Sequence, residues 1–239
     1  MEFGIFNLMG SRDPEKPTAE VFAEVAEQTR LADELGYTIA WFAEHHFSNY
    51  CLCASPLMLV AHCASITKQI RFGTAVVVLP LYNPARLLAE QYQIIKDAYH
   101  AEGVPLANAH ITVNRFCHIT DSKEDGLRFA ENARYQSRLA SSLRRRQEVM
   151  QGTVLVDKPF PDEPPLEQIY NDLLIGDVET VAEKLVGEIR ATHPVHMCFS
   201  FKVGATPHHA AMRSMELMMS EVRPRVERAL GPRARSAAE

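Results

Sequence analysis

Short apolar runs alternate along this chain with stretches whose apolar residues recur every three or four positions. Residues 3–8 (Phe3-Gly4-Ile5-Phe6-Asn7-Leu8) read as a buried strand. A polar loop broken by Pro14 and Pro17 follows. Val21, Phe22, Val25, Ala26, Leu31 and Leu35 then fall at helical spacing, and Gly36 closes the helix that Thr18 opens. Residues 38–42 are aromatic and β-rich, a second strand that runs directly into Glu44-His45-His46. Ser55-Pro56 pairs an N-cap residue with a first-turn proline and predicts a helix to Lys68. Residues 70–79 are apolar almost throughout, as in a parallel-sheet strand covered on both faces.

Asn83-Pro84 opens a helix that meets no breaker before Gly103. Residues 110–119 predict a strand, and Thr120 or Asp121 caps a long helix over about 122–146. Residues 150–176 are the least regular, with Pro159, Pro161, Pro164 and Pro165 forcing an extended surface loop. Gly176-Asp177 starts a helix to Ala191, residues 195–201 form the last strand, and residues 210–230 form the last helix. Residues 231–239 read as a frayed tail. The β-α-β alternation predicts one α/β domain over residues 1–230, built on parallel strands. The count is five strands over 239 residues. A (β/α)₈ barrel of roughly 250 residues needs eight.

Composition narrows the class. Hydrophobic residues at 46% and charged residues at 23% belong to a globular protein, and a net charge of −5 offers no basic field for nucleic acid or an anionic membrane. No apolar run reaches membrane-spanning length, and Met1-Glu2-Phe3-Gly4 lacks a signal-peptide start. Five cysteines, an odd number, argue for a reducing compartment and a cytoplasmic protein.

The chemistry concentrates after the second strand. Glu44, His45 and His46 sit at its carboxyl end, where α/β proteins place their sites. Neighbouring strand residues point to opposite faces, so His45 and His46 do not share one metal. Cys51-x-Cys53 with Cys63 reads as buried thiol rather than as a metal site. Taken alone, the pair of histidines is also compatible with a surface charge cluster.

From Met1 to about Glu90 the chain resembles the bacterial luciferase-like flavin monooxygenase family. The resemblance rests on Met1-Glu2-Phe3-Gly4-Ile5-Phe6, Ala43-Glu44-His45-His46-Phe47, Ser55-Pro56, and the run from Arg71 to Pro80 followed by Asn83-Pro84-Ala85-Arg86. Gly152-Thr153-Val154-Leu155, Ile175-Gly176-Asp177-Val178-Glu179-Thr180-Val181 and Met212-Arg213-Ser214-Met215-Glu216-Leu217 extend it into the second half. It implies a TIM-barrel-derived fold and a monooxygenase that uses reduced FMN and oxygen, with the deazaflavin F420 used by some relatives. A separate flavin reductase, a small organic substrate and a homodimer formed through residues 55–68 and 83–103 are implied as well. His45 matches the family's catalytic histidine and Glu44 its neighbouring carboxylate. An imidazole of pKa about 6.5 suits proton transfer near neutral pH. Gly73-Thr74-Ala75-Val76 matches the strand end that lies against the flavin ring, where the family holds a strained non-proline cis peptide; the corresponding bond here is Ala75-Val76, with an ordinary buried strand as the alternative.

The pattern breaks after Gln91. The family continues there into a Gly-rich fourth strand, whereas Tyr92 to Gly103 resembles a helix from much later in the barrel. Residues 110–119 and 195–201 then correspond to the seventh and eighth strands. The expected architecture is an incomplete barrel of about five parallel strands with flanking helices, its strands four to six absent. In the family those strands hold the flavin phosphate. Arg115 and the loop Gly204-Ala205-Thr206 are the nearest replacements, Arg115 reading better as a solvated or salt-bridged strand residue. The alternative function is a non-catalytic flavin-binding or accessory subunit.

Overall fold

The computed structural model describes residues 2–13, 15–43, 45, 49–53, 56–74, 112–145, 147–152, 154–161 and 163–231. In chain order these form β1 (Glu2–Asn7), α1 (Thr18–Leu35), β2 (Ile39–Phe42), α2 (Pro56–Ala64), β3 (Arg71–Thr74) and β4 (Thr112–Ile119). They continue with α3 (Lys123–Arg145), β5 (Met150–Gln151), β6 (Val154–Leu155), α4 (Leu166–Asp172), β7 (Leu174–Gly176) and α5 (Val178–Thr192). The series ends with β8 (His196–Ser200), α6 (His208–Leu217), a π-helical turn (Met218–Val222) and α7 (Arg223–Leu230).

The main sheet has six strands in the order β3-β2-β1-β8-β4-β7, every pair parallel. Among the described residues it is an open sheet, as the shortage of strands predicts. Strand β1 is buried from Phe3 to Asn7 and β8 throughout, the two-sided burial that their apolar runs foretell. Register fixes the faces. Phe3, Met197, Phe199 and Arg115 share the face that carries the helices, with Phe3 edge-on to Phe199 at 5.3 Å and under the Arg223 guanidinium of α7. Gly4, Trp41, Gly73 and Cys198 share the other.

Helix ends follow local chemistry. Gly36 stops α1 in the left-handed region (φ 81°), its N–H returning to the carbonyls of Ala32 and Asp33. Asp177 caps α5 by accepting the N–H of Thr180 at 2.8 Å.

Residues 150–176 hold more order than their prolines suggest. A hairpin joins β5 to β6, α4 begins just after Pro165, and β7 adds a sixth strand beside β4. The Lys184 ammonium fastens that corner by donating to the carbonyls of Leu173 and Ile175. The strand expected over 70–79 is described only as β3, and Ala75 onward lies outside the described residues. So do the helix expected from Asn83 to Gly103, the start of the strand expected at 110 and the tail 232–239. No helix among the described residues is long and apolar enough to cross a membrane.

Candidate functional site

Because every strand of the main sheet runs the same way, Asn7, Phe42, Thr74, Ile119 and Ser200 all end at one edge. The loops leaving that edge are stitched to one another. Ala43 N–H donates to Asn7 O, Leu52 N–H to Met9 O at 3.1 Å, and Ser11 N–H to Asn49 O at 3.0 Å. The loops after β1 and β2 thus form a single platform.

His45 stands on that platform, three residues beyond β2. Its N–H donates to Cys53 O at 3.0 Å, and its half-buried ring packs edge-to-face against Tyr50, centroids 4.5 Å apart at 83°. Tyr50 is buried, which pushes its phenol well above the usual range and keeps it neutral. Glu44 lies outside the described residues, as do His46, Ala75 and Val76. Gly73 and Thr74 close β3 in register with Trp41 and Phe42, and Thr74 is exposed at the edge. A Cβ on Gly73 would overlap the Trp41 indole, so glycine here makes room for Trp41.

Helix α3 crosses the same edge. Asn132 Oδ1 accepts the N–H of Ala205 at 2.9 Å in the loop after β8. Tyr135 and Gln136 bond the loop after β2, through Asn49 Nδ2 and through Tyr50 O at 3.0 Å. Asn49 is held at its other end too, its Oδ1 accepting Leu155 N–H at 2.9 Å. None of Asn49, Tyr50, Asn132, Tyr135 or Gln136 was singled out by sequence. The available signal was Gln136, a polar residue on the apolar stripe of α3.

The two candidate phosphate ligands are otherwise engaged. Arg115 is the salt-bridged strand residue expected, 3% exposed with its guanidinium 2.9 Å from Glu188 and donating to Asp172 O at 2.7 Å. Burial raises the Glu188 carboxyl, and Arg115 pulls it back toward the charged form. In the loop Gly204-Ala205-Thr206, the Ala205 N–H is taken by Asn132, and Thr206 Oγ1 donates to Val203 O at 2.6 Å.

A further titratable group closes the far side of the edge. His118 Nε2 meets Asp125 Oδ2 at 2.7 Å, its ring stacks on Phe129 at 4.8 Å, and Nδ1 is 3.5 Å from Ser214 Oγ. Burial works against the Asp125 carboxylate, but His118 outweighs it and holds that carboxyl below its ordinary value. His118 and Ser214 are fully buried, so the group ties α3 and α6 to β4. All five cysteines are buried thiols, and among the described residues no cluster of three or more His, Cys, Asp or Glu could hold a metal.

Residues 1–93, which carry β1 to β3 and His45, match the luciferase-like monooxygenase family. That match supports assigning the chain to the luciferase-like family. The chain is 25% identical to the uncharacterized protein y4vJ of Sinorhizobium fredii, the match covering 97% of the chain and 99% of that protein. The aligned span of 347 residues exceeds the 239 of the chain, so a long stretch of y4vJ has no counterpart here. Over 90 residues, 38% of the chain, it is 33% identical to the alkanal monooxygenase alpha chain of Photorhabdus laumondii. Over an equal span it is 31% identical to the oxygenase component of a flavin-dependent trigonelline monooxygenase from Acinetobacter baylyi. The matched part spans a quarter of the length of each of those two proteins. The fold is similar to that of the monooxygenase RslO1 from Streptomyces bottropensis, with TM-score 0.73 at 15% identity over 94% of this chain and 99% of that one. It is also similar to the oxygenating constituent of 3,6-diketocamphane monooxygenase from Pseudomonas putida, solved with FMN, with TM-score 0.53 at 15% identity over 95% and 98%.

Proposed function

We propose that this protein is a flavin-dependent monooxygenase that acts on a small organic substrate, with reduced flavin delivered by a separate reductase. One observation carries the proposal: His45 stands half-buried at the carboxyl edge of a parallel sheet, inside the segment that matches the family. The oxygenase-component naming of the Acinetobacter relative supports a reductase partner, and the FMN complex of the Pseudomonas neighbour supports a flavin-type cofactor.

The residues present fit the ring better than the phosphate. His45 and the exposed end of β3 at Thr74 border the edge where a ring could lie, with Ala75 and Val76 continuing that strand in sequence. Reduced flavin supplies the electrons that activate dioxygen. The protein's part is to present His45, whose imidazole holds or releases a proton at a ring nitrogen, with Glu44 preceding it in the sequence. Ala43, Tyr50, Cys51 and Cys53 of the loop that carries His45 are buried.

A second reading, a flavin-binding or accessory subunit without turnover, is favoured by the engaged states of Arg115 and Ala205, which leave neither available to a phosphate. The stretch of y4vJ that this chain lacks agrees with it. Titration with oxidised and reduced FMN, followed by flavin fluorescence and thermal shift, tests both readings. The monooxygenase reading expects binding and NADH-driven, reductase-coupled oxygenation that falls at least about a hundredfold in His45→Ala. Binding without oxygenation would select the flavin-binding subunit, and absence of binding would overturn the monooxygenase and favour the accessory subunit.

We further propose a homodimer formed through α2. Its apolar sequence leaves Met58 73% exposed, with Ile66 just beyond it 38% exposed.

A further inference from the structure

Helix α3 buries a stripe made of Phe129, Ala133, Gln136 and Leu139, spaced at three and four residues. Gln136 alone in that stripe is polar, and it has no exposed surface. A leucine or methionine would fill the position without burying an amide. What the amide adds is a bond from Nε2 to Tyr50 O at 3.0 Å. Its other end, Oε1, has no hydrogen-bond partner among the described residues, and a Cβ on Gly10 would lie only 2.5 Å from it. The fold therefore keeps residue 10 bare and leaves a buried acceptor open in order to hold this amide. Tyr50 in turn packs edge-to-face on His45.

We propose that Gln136 is a positioning residue for His45, acting through Tyr50. It rests on His45 being the working side chain of the proposed monooxygenase, and it adds a distant helix to the machinery that orients the imidazole. The tie is doubled in sequence, since Tyr135 meets Asn49 immediately before Gln136 meets Tyr50. The loop is thereby set in register along α3, and the Gln136 bond is the one that leads to the imidazole. Asn132 offers a matched control, because its hydrogen bonds among the described residues run to Ala205, Arg12 and Arg128 and none to the loop that carries Tyr50.

The test reads the His45 ring directly by imidazole NMR of the full chain without flavin. Its resonances, assigned by their loss in His45→Ala, carry the ring-current shift imposed by Tyr50. Gln136→Met, similar in volume but lacking the donor, is expected to remove at least half of that shift and to move the His45 titration midpoint. Asn132→Ala is expected to leave both unchanged. Gly10→Ala crowds both the Gln136 amide oxygen, 2.5 Å from the added Cβ, and the Tyr50 carbonyl, 3.0 Å from it, and should reproduce the Gln136→Met signature if that variant fails to fold. Unchanged His45 resonances in Gln136→Met and Gly10→Ala, or an equal change in Asn132→Ala, would overturn the proposal. Because the readout needs neither flavin nor turnover, it fails or stands independently of the His45→Ala activity assay.

Discussion

Asp33 Oδ1 accepts the backbone N–H of Ile70 at 2.7 Å, and the same carboxylate also accepts the N–H groups of Lys68 and Gln69. One side chain at the end of α1 thus fastens the loop that delivers β3 to the sheet. Burial alone would raise the Asp33 carboxyl, but the three N–H donors outweigh it and hold it below its ordinary value. A depressed carboxyl stabilises the fold above the unfolded-state value of about 3.9 and loses that contribution as pH falls through the folded one. Asp33→Asn is expected to cost about 1–3 kcal/mol at pH 7 by urea unfolding, the difference from wild type shrinking below about pH 4. A difference that does not depend on pH would show that the charge is irrelevant.

Gly73 and Trp41 form a second tight pairing, on the sheet face opposite the helices. The chain has a single tryptophan, so its fluorescence reports this contact alone. Gly73→Ala puts a methyl group into the indole ring and must displace it. The expected outcome is a red-shifted, weaker emission and a loss of about 1–3 kcal/mol from overpacking. An unchanged spectrum would mean that β3 shifts instead of Trp41.

The parts of the fold visible in sequence are those whose stability is local or two-sided. Strands β1 and β8 announce themselves because both faces are buried, and the ends of α1 and α5 because Gly36 and Asp177 act within a few residues. The short β7 carries no period in three residues, and it exists because β4 and Lys184 hold it. Helix α4, with seven residues, is likewise too short to show a stripe. The same division holds at the site. His45 is marked by its place after β2, whereas Tyr50 and Gln136, 86 positions apart, meet only once α3 lies across the sheet edge.

The Arg115–Glu188 pair offers a test of how the buried charges are balanced. With both side chains almost wholly enclosed, Glu188→Gln leaves a guanidinium without its counter-charge. Breaking such a pair on one side costs about 3–5 kcal/mol, while replacing both partners by apolar residues is close to neutral. Equilibrium unfolding should therefore find Arg115→Met/Glu188→Leu more stable than Glu188→Gln. The reverse order would mean that the ion pair itself stabilises the fold.

Arg138 of α3 clamps the proline-rich loop. It donates two bonds to Glu163, at 2.7 and 2.6 Å, and a third to Asp157 at 3.2 Å. Lysine cannot reproduce a bidentate fork. Arg138→Lys is expected to speed limited proteolysis between residues 156 and 165 severalfold while global stability falls by no more than about 1 kcal/mol, because the loop lies at the surface. Equal proteolysis rates would show that packing, rather than the clamp, orders the loop.

The exposed face of α2 makes the proposed dimer testable without touching the site. Met58 in the first turn of α2 and Ile66 just beyond its last turn place apolar surface in water at the two ends of a helix whose inner residues, Leu59 and Cys63, are already buried. A lysine at position 58 would have to be desolvated in an interface formed there, yet it costs little on a solvated helix. Light scattering at micromolar concentration is expected to show a dimer for the wild type and a monomer for Met58→Lys/Ile66→Glu, with matching circular dichroism. A wild-type monomer would remove the dimer. An unaffected dimer in the double variant would move the interface away from α2. His45 and Tyr50 lie on the loop that leads into α2, so the loss of the dimer should also weaken flavin binding if that loop is steadied by the partner copy.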